Sequence, residues 1–205
     1  MIIVVEGPSA AGKSTWSRIH AGRSLIHEAF PAVDPPADAE QAAHFRAANG
    51  AHRWEQAVAV EQVCGAAVCD TDPLKLHYSW SLSRIGAEGP DDFFRQAAAY
   101  RQLIAHRRLG FADRYLVDVP DPDTLAVRKV ADQSRRRRNF DLHGRLGPPL
   151  AEWYGMVETL RPGSVLWAFP DAGLSDVLPS ELPRYDLETF DALVDRLGTA
   201  LGAIG

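Results

Sequence analysis

Short apolar runs alternate with longer stretches in which apolar residues recur at helical spacing. Ile2–Glu6 is apolar until its last residue and precedes a glycine-rich turn, the pattern of a buried central strand. Lys13 to about Gly22 reads as a helix, and Ser24–Glu28 as a second, short strand. Pro31–Pro36 breaks the pattern and predicts a loop. Two helices are predicted next, over Ala37–Ala48 and Arg53–Val63, followed by a buried strand over Gly65–Cys69 that ends at Asp70. Helical spacing returns over Leu74–Ile85 and Asp91–Arg108, and Arg114–Val119 is the fourth strand. A long polar, then basic, helical stretch covers Thr124–Leu160, interrupted near Gly144–Pro149. Ser164–Phe169 is the last strand, and Leu187–Leu201 closes the chain as an amphipathic helix.

This alternation predicts an α/β fold with a five-stranded parallel sheet flanked by helices. The length, 205 residues, suits one such domain over 1–205 and is too short for two. In these sheets ligands sit beyond the carboxyl ends of the strands. The informative residues are then Gly7–Thr15, Glu28, Asp70–Asp72, Asp118–Asp123 and Pro170–Asp171.

The first of these segments carries the most specific signal. Gly7-Pro8-Ser9-Ala10-Ala11-Gly12-Lys13-Ser14 matches the P-loop pattern in full, between a strand and a helix. Gly7 and Gly12 permit backbone angles that a side chain would forbid. The loop amides then form an anion nest, reinforced by the helix N-terminus at Ser14 and Thr15. Lys13 is expected to reach the β- and γ-phosphates of ATP, and the Ser14 hydroxyl to bind Mg²⁺. Together with the sheet this predicts a P-loop NTPase three-layer sandwich. A guanine-specific N-K-x-D segment is missing, and the third strand does not end in Asp-Glu.

Other segments resemble small-molecule kinases. Glu28 sits where deoxynucleoside and nicotinamide-riboside kinases carry a substrate-side Glu. Asp70-Thr71-Asp72 is similar to the D-T-D segment of bacterial nicotinamide-riboside-type kinases, in the place of the deoxynucleoside kinase E-R-S. Arg128 and Arg135–Arg138 resemble the Arg-rich lid of the deoxynucleoside kinase superfamily, here about residues 123–147. Thr71 departs from the family Arg, and Phe30–Arg53, the acceptor-pocket region in such enzymes, matches no known segment. The resemblance implies phosphoryl transfer from ATP to a hydroxyl of a nucleoside, nucleoside-like metabolite or antibiotic. A nucleoside-monophosphate kinase, with Arg84, Arg95 and Arg101 on the acceptor phosphate, is one alternative. A nucleotide-binding regulator without transferase activity is another.

Phosphoryl transfer needs oxygen ligands for Mg²⁺ and a carboxylate near the acceptor hydroxyl. Asp70 is the candidate for both, Glu28 competes as base, and Asp72 is a candidate acceptor contact. Asp72 before Pro73 is also a good helix-capping pattern. In the arginine run, successive helical positions point about 100° apart, so at most two can face one phosphate. Arg128 and Arg135 lie about two turns apart and would share a face. Arg135 is a candidate for stabilising the transferring group, and Arg128 and Arg136 for the bound nucleotide. Trp16, Trp54, Trp80, Tyr100, Trp153 and Tyr154 suit a core or a pocket wall. Tyr78 and Trp80, close after the D-T-D segment, are the candidates for a planar acceptor, with His77 as polar lining.

A net charge of −5 does not favour nucleic acid or anionic membrane as partner. The two cysteines, Cys64 and Cys69, support neither a zinc site nor a disulfide framework. The histidines show no H-E-x-x-H spacing, and no G-x-S-x-G elbow occurs. The chain enters its first strand directly, so no leader and a cytoplasmic location are expected. The expected partner is a small-molecule acceptor, and a homodimer is one assembly the reading allows.

Overall fold

The computed structural model describes residues 1–28, 32–131, 142, 144–178 and 180–202. Its centre is a five-stranded sheet in the order β2-β3-β1-β4-β5, with every described pairing parallel. The strands are β1 (Ile2–Glu6), β2 (Leu25–Ile26), β3 (Ala67–Asp70), β4 (Arg114–Val117) and β5 (Val165–Leu166). The helices are α1 (Lys13–His20), α2 (Ala39–Cys64), α3 (Leu76–Arg84), α4 (Pro90–Ala105), α5 (Pro122–Ala131), α6 (Gly147–Leu160) and α7 (Leu187–Gly202). This is a P-loop NTPase-like sandwich.

Alternation along the strands builds two cores. Ile2, Val4, Ala67, Cys69, Tyr115 and Val117 face the larger one, with Trp54, Trp80, Phe93, Trp153 and Phe190 from the helices. Ile3, Val5, Val68 and Leu116 face the smaller one, against Trp16, Ala21 and Val177. Both faces of the central strands are apolar because both are covered, as continuous apolar runs require. The edge strands β2 and β5 each keep only two paired residues, shorter than the runs Ser24–Glu28 and Ser164–Phe169 suggest. An edge strand has one neighbour and loses its outer residues to turns; Ser24 lies in a 3₁₀ turn, Gly22–Ser24.

The largest correction concerns α2. The two helices expected there are one, running unbroken through Asn49 and Gly50. Asp38 caps it by accepting the Gln41 amide at 2.8 Å, and Gly65 ends it at φ +79°. A Cβ on Gly50 would stand 2.4 Å from the Pro73 carbonyl oxygen. The residue weakens the helix by about 1 kcal/mol, and tertiary packing overrides that because only glycine lets α2 approach the turn after β3. The stretch Thr124–Leu160 resolves into α5 and α6; Arg135–Arg138 fall outside the described residues. None of the described helices is long and apolar enough to cross a membrane.

A charge cluster ties the opposite edge of the sheet. Arg184 donates to Glu61 Oε1 and Oε2 at 2.6 and 2.7 Å, and to Asp113 Oδ1 and Oδ2 at 2.8 and 2.5 Å. Asp113 also accepts the Ile2 amide at 2.6 Å, and Glu61 accepts from the N-terminal ammonium. Arg184 holds the Glu61 carboxyl down at about 2, from an ordinary 4.5. Arg184→Met is expected to cost about 2–4 kcal/mol at pH 7, because two neighbouring carboxylates then keep only the N-terminal ammonium and the Ile2 amide between them. Because the folded-state value of Glu61 is depressed, its contribution is present above about 4.5 and is lost as pH falls towards 2. Urea unfolding at pH 7 and pH 3 checks both points: the variant's deficit should shrink at pH 3. Equal deficits would show that Arg184 acts through packing alone.

Candidate active site

β1 ends in a buried carboxylate, Glu6, and the chain turns at once into the phosphate-loop motif. A Cβ on Gly7 would lie 2.3 Å from the Asp118 carbonyl oxygen and 2.9 Å from the Ala11 Cβ, so only glycine fits. Gly12 sits at φ +105° immediately before α1, and Ala10 also has positive φ, +73°. Pro8 and Ala11 are buried, Ser9, Ala10 and Ser14 partly so, and Thr15 is exposed. The amides of Lys13 and Ser14, at the start of α1, have no intrahelical acceptor and bring donors to the loop, whereas the Thr15 amide donates to Gly12 O at 3.0 Å. Lys13 Nζ donates to the Gly7 carbonyl and to Pro8 O at 3.2 Å, and stands 3.8 Å from Glu6 Oε1.

Glu6 joins this loop to the turn after β3. Its Oε1 accepts the Gly7 amide at 2.9 Å and its Oε2 the Asp72 amide at 3.1 Å. His77 Nε2 lies 3.4 Å from Oε2. Burial pushes the Glu6 carboxyl up, but His77, Lys13 and the two amides outweigh it, and the carboxyl is held below its ordinary value. Burial lowers His77 against the opposing pull of Glu6. A charged residue at the end of an apolar run was the signal for Glu6, which sequence reasoning passed over.

Parallel pairing places Asp70 beside Val5, two residues before Gly7. Asp70, Thr71 and Asp72 are all buried. Thr71 has φ +76°, a conformation that costs a β-branched residue about 1–3 kcal/mol. Arg53 from α2, itself buried, donates through Nη2 to the carbonyls of Asp70 and Thr71 at 2.8 and 2.9 Å. Both Asp72 oxygens have protein partners: Leu74 N–H donates to Oδ1 at 2.9 Å and Tyr154 O–H to Oδ2 at 3.1 Å. Burial, with Glu6 nearby, pushes Asp72 up to about 7. The bond from Leu74 makes a local turn at Asp72 and does not cap α3, whose N-cap is Lys75 without a side-chain bond.

Beyond β2, Glu28 pairs with Lys75 at 2.6 Å, a partner not anticipated from sequence. Lys75 Nζ also lies 5.8 Å from the Tyr78 ring centre. Tyr78 is half-buried; burial raises its hydroxyl, and the charges of Glu88 and Glu28 raise it further. Trp80 is fully enclosed instead: it packs on Trp153 at 6.1 Å and donates its indole N–H to Leu197 O at 3.3 Å. Helical spacing explains the split, since Leu76, His77 and Trp80 share the inward face that Tyr78 leaves.

Arg128 on α5 reaches the phosphate loop, donating from Nη1 to Ala11 O at 2.8 Å and standing 3.8 Å from Asp118 Oδ2. Arg135 and Arg136 lie outside the described residues. Among the described residues no three His, Cys, Asp or Glu side chains converge as a metal cage. A hydroxyl at Ser14 and a carboxylate at Asp70 fit a Mg²⁺ that keeps its waters and phosphate ligands and needs only one or two protein oxygens.

No protein-family model and no curated protein sequence matches this chain. Among solved structures, deoxyadenosine kinase from M. mycoides with the products dCMP and a flexible dCDP bound is similar over 97% of this chain and 100% of its own, at 15% identity and TM-score 0.53. The same enzyme with bound dATP covers 96% and 99%, at 15% identity and TM-score 0.51. Over nearly its whole length, this chain has the fold seen in M. mycoides deoxyadenosine kinase.

Proposed function

We propose that this protein is a kinase of the P-loop class that transfers the terminal phosphate of ATP to a hydroxyl of a small molecule, a nucleoside or nucleoside-like metabolite or antibiotic. The observation that carries the reading is the pairing of Val5 with Asp70, which sets a strand-end carboxylate beside a complete phosphate loop. The name of the M. mycoides enzyme and the dCMP, dCDP and dATP bound to it lend the acceptor class its support.

In this reading the loop from Ser9 to Thr15 cradles the phosphates through the amides not spent on Pro8 O and Gly12 O, and Lys13 turns from the Gly7 and Pro8 carbonyls to the β- and γ-oxygens. Ser14 and Asp70 hold Mg²⁺, which when bound neutralises charge on the phosphates. Arg128 already meets the loop at Ala11 and supplies a guanidinium to the nucleotide. The segment from about 123 to 147, with Arg135 and Arg136, acts as a lid that excludes water. The acceptor lies towards Tyr78 and the Glu28–Lys75 pair, and Asp70 takes its hydroxyl proton, with Glu28 the competing base. Arg84, Arg95 and Arg101 are engaged with Glu152, Asp92 and Asp191. That engagement favours an acceptor without a phosphate over a nucleoside monophosphate.

The test is an ATP-consumption screen over nucleosides, nucleotides and sugar-like metabolites, followed by single-turnover assays. Asp70→Asn is expected to bind ATP normally and lose about 10²–10⁴-fold in rate, the usual contribution of a positioned base. Normal turnover by Asp70→Asn with a dead Glu28→Gln would move the base to Glu28. No acceptor-dependent consumption across the screen would overturn the kinase reading.

A further inference from the structure

We infer that Arg53 is a positioning residue for this site: by gripping the carbonyls of Asp70 and Thr71 it holds the turn after β3 in a conformation that Thr71 disfavours, and so fixes where the Asp70 carboxylate sits. The grip is made of two hydrogen bonds from one guanidinium nitrogen, at 2.8 and 2.9 Å, across 17 and 18 positions of sequence. Arg53 is 6% exposed, and among the described residues no carboxylate lies within ion-pair distance of it. Its Nε–H is buried with no acceptor among the described residues. A buried guanidinium usually pairs with a carboxylate; here it is committed to the backbone of a single turn.

The rest of α2 is shaped for the same contact. Gly50, one turn before Arg53, lets the helix meet Pro73 O, where a Cβ would stand at 2.4 Å. The turn is thus held from one helix at Asp70, Thr71 and Pro73, while Glu6 holds the amide of Asp72 from the other side. Thr71 is the strained residue at the centre, at φ +76°. Released from Arg53, the threonine would relax to negative φ and turn the neighbouring peptide, taking Asp70 out of alignment with Ser14 and the loop.

The inference rests on the nucleotide reading for what Asp70 does, but the clamp itself is tested without it. Glycine has no penalty at positive φ, so Thr71→Gly should rescue loss of the clamp. In unfolding experiments Thr71→Gly should raise the Tm of the wild type, where the strain is held, by more than that of Arg53→Met, where Thr71 has relaxed. In binding experiments with ATP, with and without Mg²⁺, Arg53→Met should lose about tenfold of the Mg²⁺-dependent gain in affinity. Its Mg²⁺-free ATP affinity should stay within about threefold, and Thr71→Gly should restore most of the gain. A merely structural role would weaken both affinities alike. Arg53→Lys, which keeps the charge without the planar fork, serves if the methionine variant does not fold, and should show the same rescue. Equal Tm shifts from Thr71→Gly in both backgrounds would overturn the clamp. Wild-type protein that binds no ATP under either condition would overturn the nucleotide reading and leave the Tm comparison to judge Arg53.

Discussion

Lys13→Ala is expected to leave the protein folded and to lower phosphoryl transfer by at least about 10²–10³-fold, the effect of removing one preorganised donor from a transferring group. The polar contacts of the lysine in the structure are with two carbonyls of its own loop and, at 3.8 Å, with Glu6. The ammonium thus anchors nothing in either core, and the loop path is set independently by Gly7, Gly12 and the hydrogen bond from the Ala11 amide to Pro8 O. Circular dichroism and Tm report the fold, and kcat/KM with the acceptor found in the screen reports the chemistry. Wild-type turnover in a folded Lys13→Ala protein would sink the kinase proposal, because Arg128, the other described cation at the loop, is committed at Ala11 O.

The second large effect belongs to Glu6. Glu6→Ala is expected to destabilise the protein by about 3–5 kcal/mol, because it leaves a cavity and two buried amides, Gly7 and Asp72, without an acceptor. It also separates the phosphate loop from the turn that carries Asp70, so ATP affinity should fall at least tenfold. Glu6→Gln tests whether the charge or the shape matters. An amide has one carbonyl oxygen, so it satisfies one of the two backbone donors and points its own N–H₂ at the other. It should fall between wild type and Glu6→Ala in urea midpoint and in ATP affinity. If Glu6→Gln matches wild type in both, the two amides find other acceptors and Glu6 is not the joint between the two halves of the site.

Much of this molecule was legible before any coordinates. The order of strands and helices followed from apolar runs and helical spacing, because both faces of a parallel sheet must be covered. The phosphate loop was legible because its chemistry depends on local backbone freedom at Gly7 and Gly12, which eight consecutive residues declare. Strand ends were legible as the place for carboxylates, which singled out Asp70 and Glu28. Helix α2 was misread at Asn49 and Gly50, where local propensity argues for a break; the compensation comes from Pro73, on a different element.

The contacts that build the site were of the other kind. Arg53 gripping Asp70 and Thr71, Lys75 pairing with Glu28, and Tyr154 closing on Asp72 are joined through space. No spacing along the chain encodes them, since each depends on how a helix packs against a strand end. Helical phase separated Tyr78 from Trp80, sending one towards the Glu28–Lys75 pair and the other into the core. The sequence by itself determined the sheet, the glycine-bounded loop between β1 and α1 and the edge where chemistry is expected, because these follow from local periodicity and backbone stereochemistry. Only the tertiary structure decided that Glu6 is the joint and Arg53 the clamp, because a buried charge takes its role from the donors and acceptors that packing brings to it.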